Sequence, residues 1–211
     1  MSADTYLPLF FKTEGLACLT VGGGEVARRK VEMLSELGCR ITVVAPEIDP
    51  VIRDRVERGG AVWRRRAYAS GDCAGFQLVI AATQHREVNR LVYEEARSLG
   101  VPVNVVDDPE LCTVVFPALW RDGPLTVAVS TGGTAPFMAS SVRDRLAGRA
   151  QGWGNWVAAA SSFREAVRRN VADAEVKNRL YRRFMQKALA GTAPSLAESA
   201  DLQAWIAWLD S

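Results

Sequence analysis

The chain has 211 residues, of which 48% are hydrophobic and 24% are charged, and its formal net charge is +2. This length suffices to bury a substantial core. We expect no nucleic-acid partner. There is no run of about 18 apolar residues, and the N-terminus has no basic start before an apolar core. We therefore expect a cytoplasmic protein without a membrane partner.

The first half of the chain alternates short β-branched runs with helical patterns, which is typical of a parallel α/β sheet. Predicted strands span 16–21, 40–45, 61–66, 76–83 and 101–106. Helical spacing of apolar residues predicts helices over 25–38, 50–60 and 86–100. The sequence thus predicts a Rossmann-type domain over residues 1–112.

The pattern changes after Pro109. Two β-rich runs, 112–119 and 124–130, flank the sequence WRDG, which predicts a turn between paired strands. A helix is expected to begin near Thr134, with Pro136 in its first turn. From residue 151 onward only two or three helices are predicted, interrupted at Asn170 and at 191–194. We expect a small β-containing segment over 113–150 and a helical domain over 151–211.

A glycine-rich turn follows the first strand. TVGGGEVA fits the pattern G-x-G-x-x-A, with a strand before it and a helix after it. One glycine can form the tight turn, while another lets a pyrophosphate approach the backbone at the helix N-terminus. The alternative is a tight turn that binds nothing. The predicted dinucleotide contacts here are Gly22, Gly23, Gly24, Glu25 and Val26.

Two other strand ends supply further candidates. The second strand ends without the usual acid, but Pro46 and Glu47 follow it; Glu47 either holds the cofactor ribose or is a solvated residue before the next helix. Its acidity, without a nearby Arg or Lys, favours NAD over NADP. At the end of the fourth strand, Ala82 leaves room for a nicotinamide ribose. Thr83 either bonds that ribose or caps the next helix.

The residues that most often hold metals are scattered. Cys18, Cys39, Cys73 and Cys112 occur singly, and His85 is the only histidine. We expect free thiols and no metal site or disulfide framework. His85 precedes a predicted helix, so we expect an exposed and non-catalytic imidazole.

Six stretches occur in a family-specific order: YLPLF (6–10), TVGGGEVARRK (20–30), VIAAT (79–83), NVVDD (104–108), FPA (116–118) and VSTGGTAP (129–136). Over about residues 6–150 the chain resembles the N-terminal module of siroheme synthase, the NAD-dependent precorrin-2 dehydrogenases. The resemblance implies a homodimer joined through the segment 113–150, with the helical domain completing a tetrapyrrole cleft. It implies oxidation of precorrin-2 to sirohydrochlorin. Some members also insert ferrous iron, and we expect the stand-alone type without a fused methyltransferase.

The resemblance also assigns residues. The family's essential aspartate matches Asp107, at the carboxyl edge of the fifth strand, where it can take the proton released by the substrate. Asp108 is expected to belong to the following turn. Thr131 occupies a position where some members carry serine, and with Gly132 and Gly133 it is expected to bind substrate.

Basic residues are in excess between Arg143 and Lys187, where the sequence has eleven Arg and Lys but four Asp and Glu. Such a surface suits a substrate with many carboxylates, although a solvated helical face would look the same. Two other functions are considered: an NAD-sensing regulatory module without catalysis, and a different Rossmann oxidoreductase acting on a small substrate. The regulatory module does not account for the acid pair or the STGGTAP turn. The basic helical domain, and the lack of a Tyr-x-x-x-Lys pair or a Ser/His relay in the sequence, count against the other oxidoreductase.

Overall fold

The computed structural model describes residues 5–191 and 201–211. Their contacts group the chain into two compact units. The first runs to Phe116 and includes Gly132–Thr134, and the second comprises Pro117–Thr131 and Ala135–Ser211. No helix in the described ranges combines the length and the apolarity that crossing a bilayer requires.

The first unit is a five-stranded parallel sheet with helices in its crossover connections. Its strands are β1 (Ala17–Val21), β2 (Arg40–Val44), β3 (Val62–Arg64), β4 (Leu78–Ala81) and β5 (Val103–Val105). Its helices are α1 (Glu25–Glu36), α2 (Pro50–Glu57) and α3 (Arg86–Ser98). The strand order is β3-β2-β1-β4-β5. This confirms the predicted Rossmann-type fold and puts β1 beside β4, where the order reverses.

The central strands are apolar because both faces of the sheet are covered. Every residue of β1 is buried, and only the first residue of β4 is partly exposed. On one face, α1 packs Ala27, Val31 and Leu34 against the sheet. On the other, α3 contributes Val92 and Ala96. Burial on both faces explains why these strands are continuous apolar runs rather than alternating patterns.

In its described residues, 117–131, 135–191 and 201–211, the second unit contains an antiparallel hairpin and four helices. Its elements are β6 (Ala118–Asp122), β7 (Leu125–Val129), α4 (Pro136–Ala150), α5 (Trp153–Asn170), α6 (Ala174–Ala190) and α7 (Leu202–Asp210). The core of α5, α6 and α7 is aromatic: the rings of Phe163 and Phe184 stack at 5.0 Å, and Trp205 is fully buried beside them. Of the predicted break at 191–194, residues 192–194 lie outside the described ranges.

The hairpin is present, but the bounds predicted for its first strand and its turn are wrong. The sequence pattern indicated 112–119 followed by a WRDG turn, but β6 begins at Ala118 and the turn lies at Gly123 and Pro124. The reason is that residues after β5 bond back to it: the amide of Thr113 donates to the carbonyl oxygen of Val103 at 2.9 Å. That backbone is therefore already paired and cannot form the hairpin.

The contact grouping also differs from the expected boundaries at 112 and 150. Phe116 packs against the core of the first unit, so that unit extends beyond residue 112. The hairpin and the C-terminal helices form a single unit, partly because the carboxylate of Asp122 accepts the amides of Gly152 at 2.8 Å and Gly154 at 2.9 Å. A Cβ on Gly154 would lie 2.2 Å from the Asp122 carbonyl oxygen, so only glycine fits this contact.

Candidate active site

The candidate site lies at the carboxyl edge of the sheet, outside the ends of β1 and β4. Ligands of open parallel sheets bind at the point where the strand order reverses. Here that point is the pair β1 and β4, which are in register from Cys18 with Leu78 to Val21 with Ala81. The glycine turn leaves β1 at this edge, and the ends of β2 and β5 flank it.

The glycine turn is held by close backbone contacts with both neighbouring strands. A Cβ on Gly22 would lie 2.3 Å from the carbonyl oxygen of Ala82, and a Cβ on Gly23 would lie 2.0 Å from that of Glu47. Gly22 also has a φ of 118°, which side chains rarely adopt. The first two glycines are therefore required by the fold itself.

Gly24 differs from the other two. A Cβ placed there would meet no protein atom within 4 Å, and its φ of −80° suits any residue. Gly24 precedes α1 and cannot cap it, because it has no side chain. The first turn of α1 therefore presents amides toward open space, which is the usual environment for a phosphate. This space has room for a dinucleotide pyrophosphate, and its binding by the amides of Glu25 and Val26 stays a prediction.

The end of β2 presents Pro46 and Glu47 as exposed residues. The turn there is tied to the glycine turn, because the amide of Asp49 donates to the carbonyl oxygen of Gly23 at 2.7 Å. Asp49 also caps α2 through its side chain, which accepts the amide of Val51 at 2.8 Å. Asp49 thus performs the capping, and Glu47 is left exposed beside the glycine turn.

The end of β4 carries Ala82, which is half-buried, and Thr83, whose hydroxyl is bonded within the protein. That hydroxyl donates to Oδ1 of Asn89 at 2.7 Å and accepts the amide of His85 at 3.1 Å. Thr83 therefore stabilises the start of α3, which is the second of the two roles considered. The side chain of His85 is exposed and makes no capping hydrogen bond.

The two aspartates after β5 have different environments. Asp107 is exposed and has a φ of 60°, the only positive φ among the described residues other than glycine. Asp108 has a side chain that is 16% exposed and pairs with Nε of Arg86 at 3.2 Å. Strained backbone at a sheet edge often marks a functional residue. The structure therefore distinguishes Asp107 from Asp108, which is engaged at the start of α3.

A lysine that was not selected from the sequence contacts Phe116, in the segment that follows β5. Lys30, on the second turn of α1, is half-buried, and its Nζ lies 4.2 Å from the ring centroid of Phe116. Burial lowers the pKa of Lys30, and this effect exceeds the smaller increases caused by the charges of Cys112 and Asp107. A signal was present in the sequence: Lys30 lies between Ala27 and Leu34 on the side of α1 that faces the core.

Asn89 is the second residue that the sequence analysis missed. It is buried in α3, where its Nδ2 donates to the carbonyl oxygen of Thr83 at 3.0 Å and its Oδ1 accepts the hydroxyl of Thr83. It therefore fixes the turn that leaves β4. A buried asparagine on the apolar face of an amphipathic helix was the available signal, since buried amides require partners.

The turn before α4 contains the expected substrate residues. Oγ1 of Thr131 accepts the amide of Ala135 at 3.1 Å, so Thr131 supports the start of α4. Gly132 and Gly133 have φ values of 62° and 80°, which explains the pair of glycines. By contacts, Thr131 belongs to the second unit and the two glycines to the first. Their role in substrate binding stays a prediction.

No group of three or more His, Cys, Asp or Glu side chains within the described ranges is arranged to hold a metal ion. The four cysteines are free thiols. Burial raises the pKa of Cys18 and of Cys73 to about 12 in each case, so these two thiols stay protonated at neutral pH.

Two family models match the chain. Residues 9–118 match a family described as "Putative NAD(P)-binding", and residues 122–149 match one described as "Sirohaem biosynthesis protein central". Together they cover the first unit from residue 9 onward and the region from the hairpin turn through most of α4.

Curated relatives and a solved structure agree with these matches. The siroheme synthase of Methylococcus capsulatus is 41% identical over 193 residues, covering 91% of this chain and 40% of that protein. That of Azotobacter vinelandii is 42% identical over 186 residues, covering 88% and 40%. The chain thus spans about two fifths of the length of these relatives. A structure titled "SirC, precorrin-2 dehydrogenase" superposes with a TM-score of 0.73 at 19% identity, covering 97% of this chain and 99% of that one, and shows the same fold.

Proposed function

Because the chain belongs to the family of the siroheme synthase N-terminal module, we propose that it oxidises precorrin-2 to sirohydrochlorin with NAD as the electron acceptor. The observation that carries this proposal is the position of Asp107. It is an exposed carboxylate in a left-handed backbone conformation, at the end of the strand next to the β1–β4 crevice. The glycine turn opens into the same edge of the sheet.

The cofactor would be held by the glycine turn and the ends of two strands. The open face at Gly24 and the first amides of α1 would bind its pyrophosphate. Ala82 would leave space for the nicotinamide ribose, while Thr83 would shape that space through its bonds to Asn89. When bound, NAD supplies a hydride acceptor.

Asp107 would accept the proton that accompanies hydride loss. The oxidation removes two electrons and two hydrogens from the macrocycle: one hydrogen leaves carbon as hydride to NAD, and the other leaves as a proton. Within the described residues the Asp107 carboxylate forms no hydrogen bond or direct ion pair, so its oxygens remain available to a substrate. Asp108 is instead paired with Arg86.

We propose NAD rather than NADP because of Glu47. It is exposed at the end of β2, beside Gly23, where the ribose of a dinucleotide lies in this fold. A carboxylate there would accept ribose hydroxyls and repel a 2′-phosphate. Titration calorimetry should give a dissociation constant for NAD at least about tenfold below that for NADP, and Glu47→Gln should narrow the difference.

We also propose a homodimer formed through α4. This helix exposes Met138, Val142 and Leu146 at a spacing of four residues, with Phe137 beside them. Residues at that spacing share one face of a helix. A second copy of the chain would cover this stripe, as the family resemblance implies for the segment 113–150.

The basic residues of α5 and α6 support an anionic substrate. Several are bonded to acids within the unit, as Arg169 is to Glu165 at 2.8 Å. Others, including Arg168 and Arg179, are exposed. We propose that members of this set bind carboxylates of the tetrapyrrole.

We also propose that the reaction takes place in the cytoplasm, because the four free thiols would stay reduced there.

The test is a spectroscopic assay. Purified protein is mixed with NAD and enzymatically prepared precorrin-2, and the absorption spectrum is followed. We expect sirohydrochlorin and NADH in equal amounts; a spectrum that does not change above background would overturn the assignment and leave the cofactor-sensing module as the better explanation. Ferrous or cobaltous ion added to the product then tests metal insertion, which the family resemblance suggests as a second reaction.

A further inference from the structure

Strand β5 is an edge strand of the parallel sheet, so one side of its backbone has no neighbouring strand. Val103 and Val105 are buried there, and their amides need partners other than water. Side chains of the following segment supply them: the amide of Val103 donates to Oγ1 of Thr113 at 2.8 Å, and that of Val105 donates to Sγ of Cys112 at 3.2 Å. Thr113 and Cys112 thus take the place of a further strand.

The thiol of Cys112 also holds the turn that carries Asp107. This turn runs from Val105 to Asp108, and its own backbone bond, from the amide of Asp108 to the carbonyl oxygen of Val105, is long at 3.5 Å. Sγ of Cys112 lies 3.1 Å from the carbonyl oxygen of Val105 and 3.4 Å from that of Asp108. One side chain therefore contacts the first and the last residue of the turn, with Asp107 between them.

These contacts match the hydrogen-bonding capacity of a thiol. As an acceptor, Sγ of Cys112 receives the amide of Val105 and Nδ2 of Asn104, the latter at 3.5 Å. Its single S–H faces the carbonyl oxygens of Val105 and Asp108. Burial raises the pKa of the Cys112 thiol, so this donor is retained at neutral pH. Asn104 is itself fixed, because its Nδ2 also donates to the carbonyl oxygen of Val114 at 2.9 Å.

Asp107 needs support from its surroundings because of its backbone conformation. Its φ of 60° lies in the left-handed region, which favours glycine or asparagine at the third position of a turn. Its side chain is exposed, so packing around that side chain does not hold the conformation. The restraint must come from the backbone on either side of Asp107, and this is the backbone that the thiol of Cys112 contacts.

We propose that Cys112 is a positioning residue for Asp107: its thiol closes the turn from Val105 to Asp108 and thereby fixes the direction of the Asp107 carboxylate. The proposal rests on the proposed role of Asp107 in the oxidation. A proton acceptor must lie within hydrogen-bond reach of the proton it takes, so a turn that points elsewhere lowers the rate. In this role the thiol takes part in no chemical step.

The first experiment replaces Cys112 in the full chain. Its backbone is extended, with φ −110° and ψ 126°, so Cys112→Val suits the conformation, keeps the bulk and removes the hydrogen bonds. We expect kcat for precorrin-2 oxidation to fall about tenfold or more, while the dissociation constant for NAD and the KM for precorrin-2 stay within about twofold. Cys112→Ser keeps a donor and an acceptor and should recover much of the rate. A wild-type kcat in Cys112→Val would overturn the proposal.

Thr113→Val is the matched control. It removes the same kind of bond, to the amide of Val103, from the same edge of β5 but farther from Asp107. Both valine variants should lower the midpoint of urea unfolding, because each leaves a buried amide without its partner. Only Cys112→Val should lower kcat. Equal losses of kcat in the two variants would show that Cys112 acts solely by stabilising the sheet edge, and would refute the positioning role. If Cys112→Val does not fold, the smaller Cys112→Ala replaces it.

A second experiment does not require activity. In isotopically labelled protein, the coupling between the amide and α protons of Asp107, together with its Cα chemical shift, reports the φ of this residue. Both should change in Cys112→Val and keep their wild-type values in Cys112→Ser and Thr113→Val. Unchanged values in Cys112→Val would refute the proposal whatever the rate.

The two experiments separate this proposal from the proposed reaction. If the Asp107 signals change in Cys112→Val but the wild-type protein does not oxidise precorrin-2, the thiol still positions Asp107 and the assigned reaction fails. If precorrin-2 is oxidised and Cys112→Val alters neither the signals nor kcat, the reaction stands and the positioning role fails.

Discussion

A Cβ atom on Gly22 would lie 2.3 Å from the carbonyl oxygen of Ala82, so the turn after β1 and the end of β4 are in direct backbone contact. We expect Gly22→Ala to destabilise the protein by roughly 1–3 kcal/mol through backbone strain alone and to abolish NAD binding. Urea unfolding and calorimetric titration with NAD measure the two effects. A variant that binds NAD normally would show that the turn can rearrange without loss.

Gly24→Ala is the matched change in the same turn. Because a Cβ there meets no protein atom, we expect a loss of stability below about 1 kcal/mol, attributable to the N-cap position. The new methyl group would occupy the space through which the pyrophosphate approaches, so the dissociation constant for NAD should rise about tenfold or more. Equal NAD affinity in the wild type and Gly24→Ala would argue against this face as the phosphate site.

Asp107→Asn separates the proposed proton acceptor from its neighbour. Asparagine tolerates a positive φ, so folding and NAD affinity should be preserved while kcat falls by about 100-fold or more. Asp108→Asn removes the ion pair with Arg86, whose side chain is 83% exposed, and should change the rate little. Single-turnover oxidation of precorrin-2 measures both. Equal losses in the two variants would contradict the assignment of Asp107.

Asp72 should make stability depend on pH in acid. Its buried carboxylate bonds to the guanidinium of Arg66, and this contact is the main reason why its pKa is lowered from 3.8 to about 2. The stabilisation is therefore complete above about pH 3.8 and is lost as pH falls through about 2. Asp72→Asn should lower the free energy of unfolding at neutral pH by about 2 kcal/mol and flatten its acid dependence, as measured by urea unfolding across pH. A wild-type acid dependence in this variant would place the titrating group elsewhere.

The proposed dimer can be tested on α4. Met138→Glu combined with Val142→Glu puts two charges into the exposed apolar stripe, which should reduce the mass measured by sedimentation from two chains to one, because buried unpaired charges oppose association. Gln186→Glu adds a charge at an exposed position on α6 and is the control. A dimer that survives both glutamates would exclude the stripe as the interface.

The segment 112–119 shows that a hydrophobic pattern does not predict which strand a segment pairs with. The apolar runs of β1 and β4 and the helical spacing of α1 and α3 each report how much of a segment is buried, and this sufficed to predict the parallel sheet. The run at 112–119 was equally apolar, yet its backbone bonds to β5 rather than to the hairpin. A burial pattern does not identify the bonding partner, because the same side chains are apolar against any neighbour.

The sequence by itself determined the alternation of strands and helices, the glycine turn between β1 and α1, and the presence of two adjacent acids after β5. Only the tertiary structure decided which strands are adjacent, and hence that Gly22 meets Ala82 and that Thr83 is bonded to Asn89. It alone placed Nζ of Lys30 over the ring of Phe116 and gave Asp107 its left-handed backbone. The physical reason is that local patterns record the burial and the conformational preferences of each segment. Contacts between residues distant in sequence depend on which strands are neighbours in the sheet.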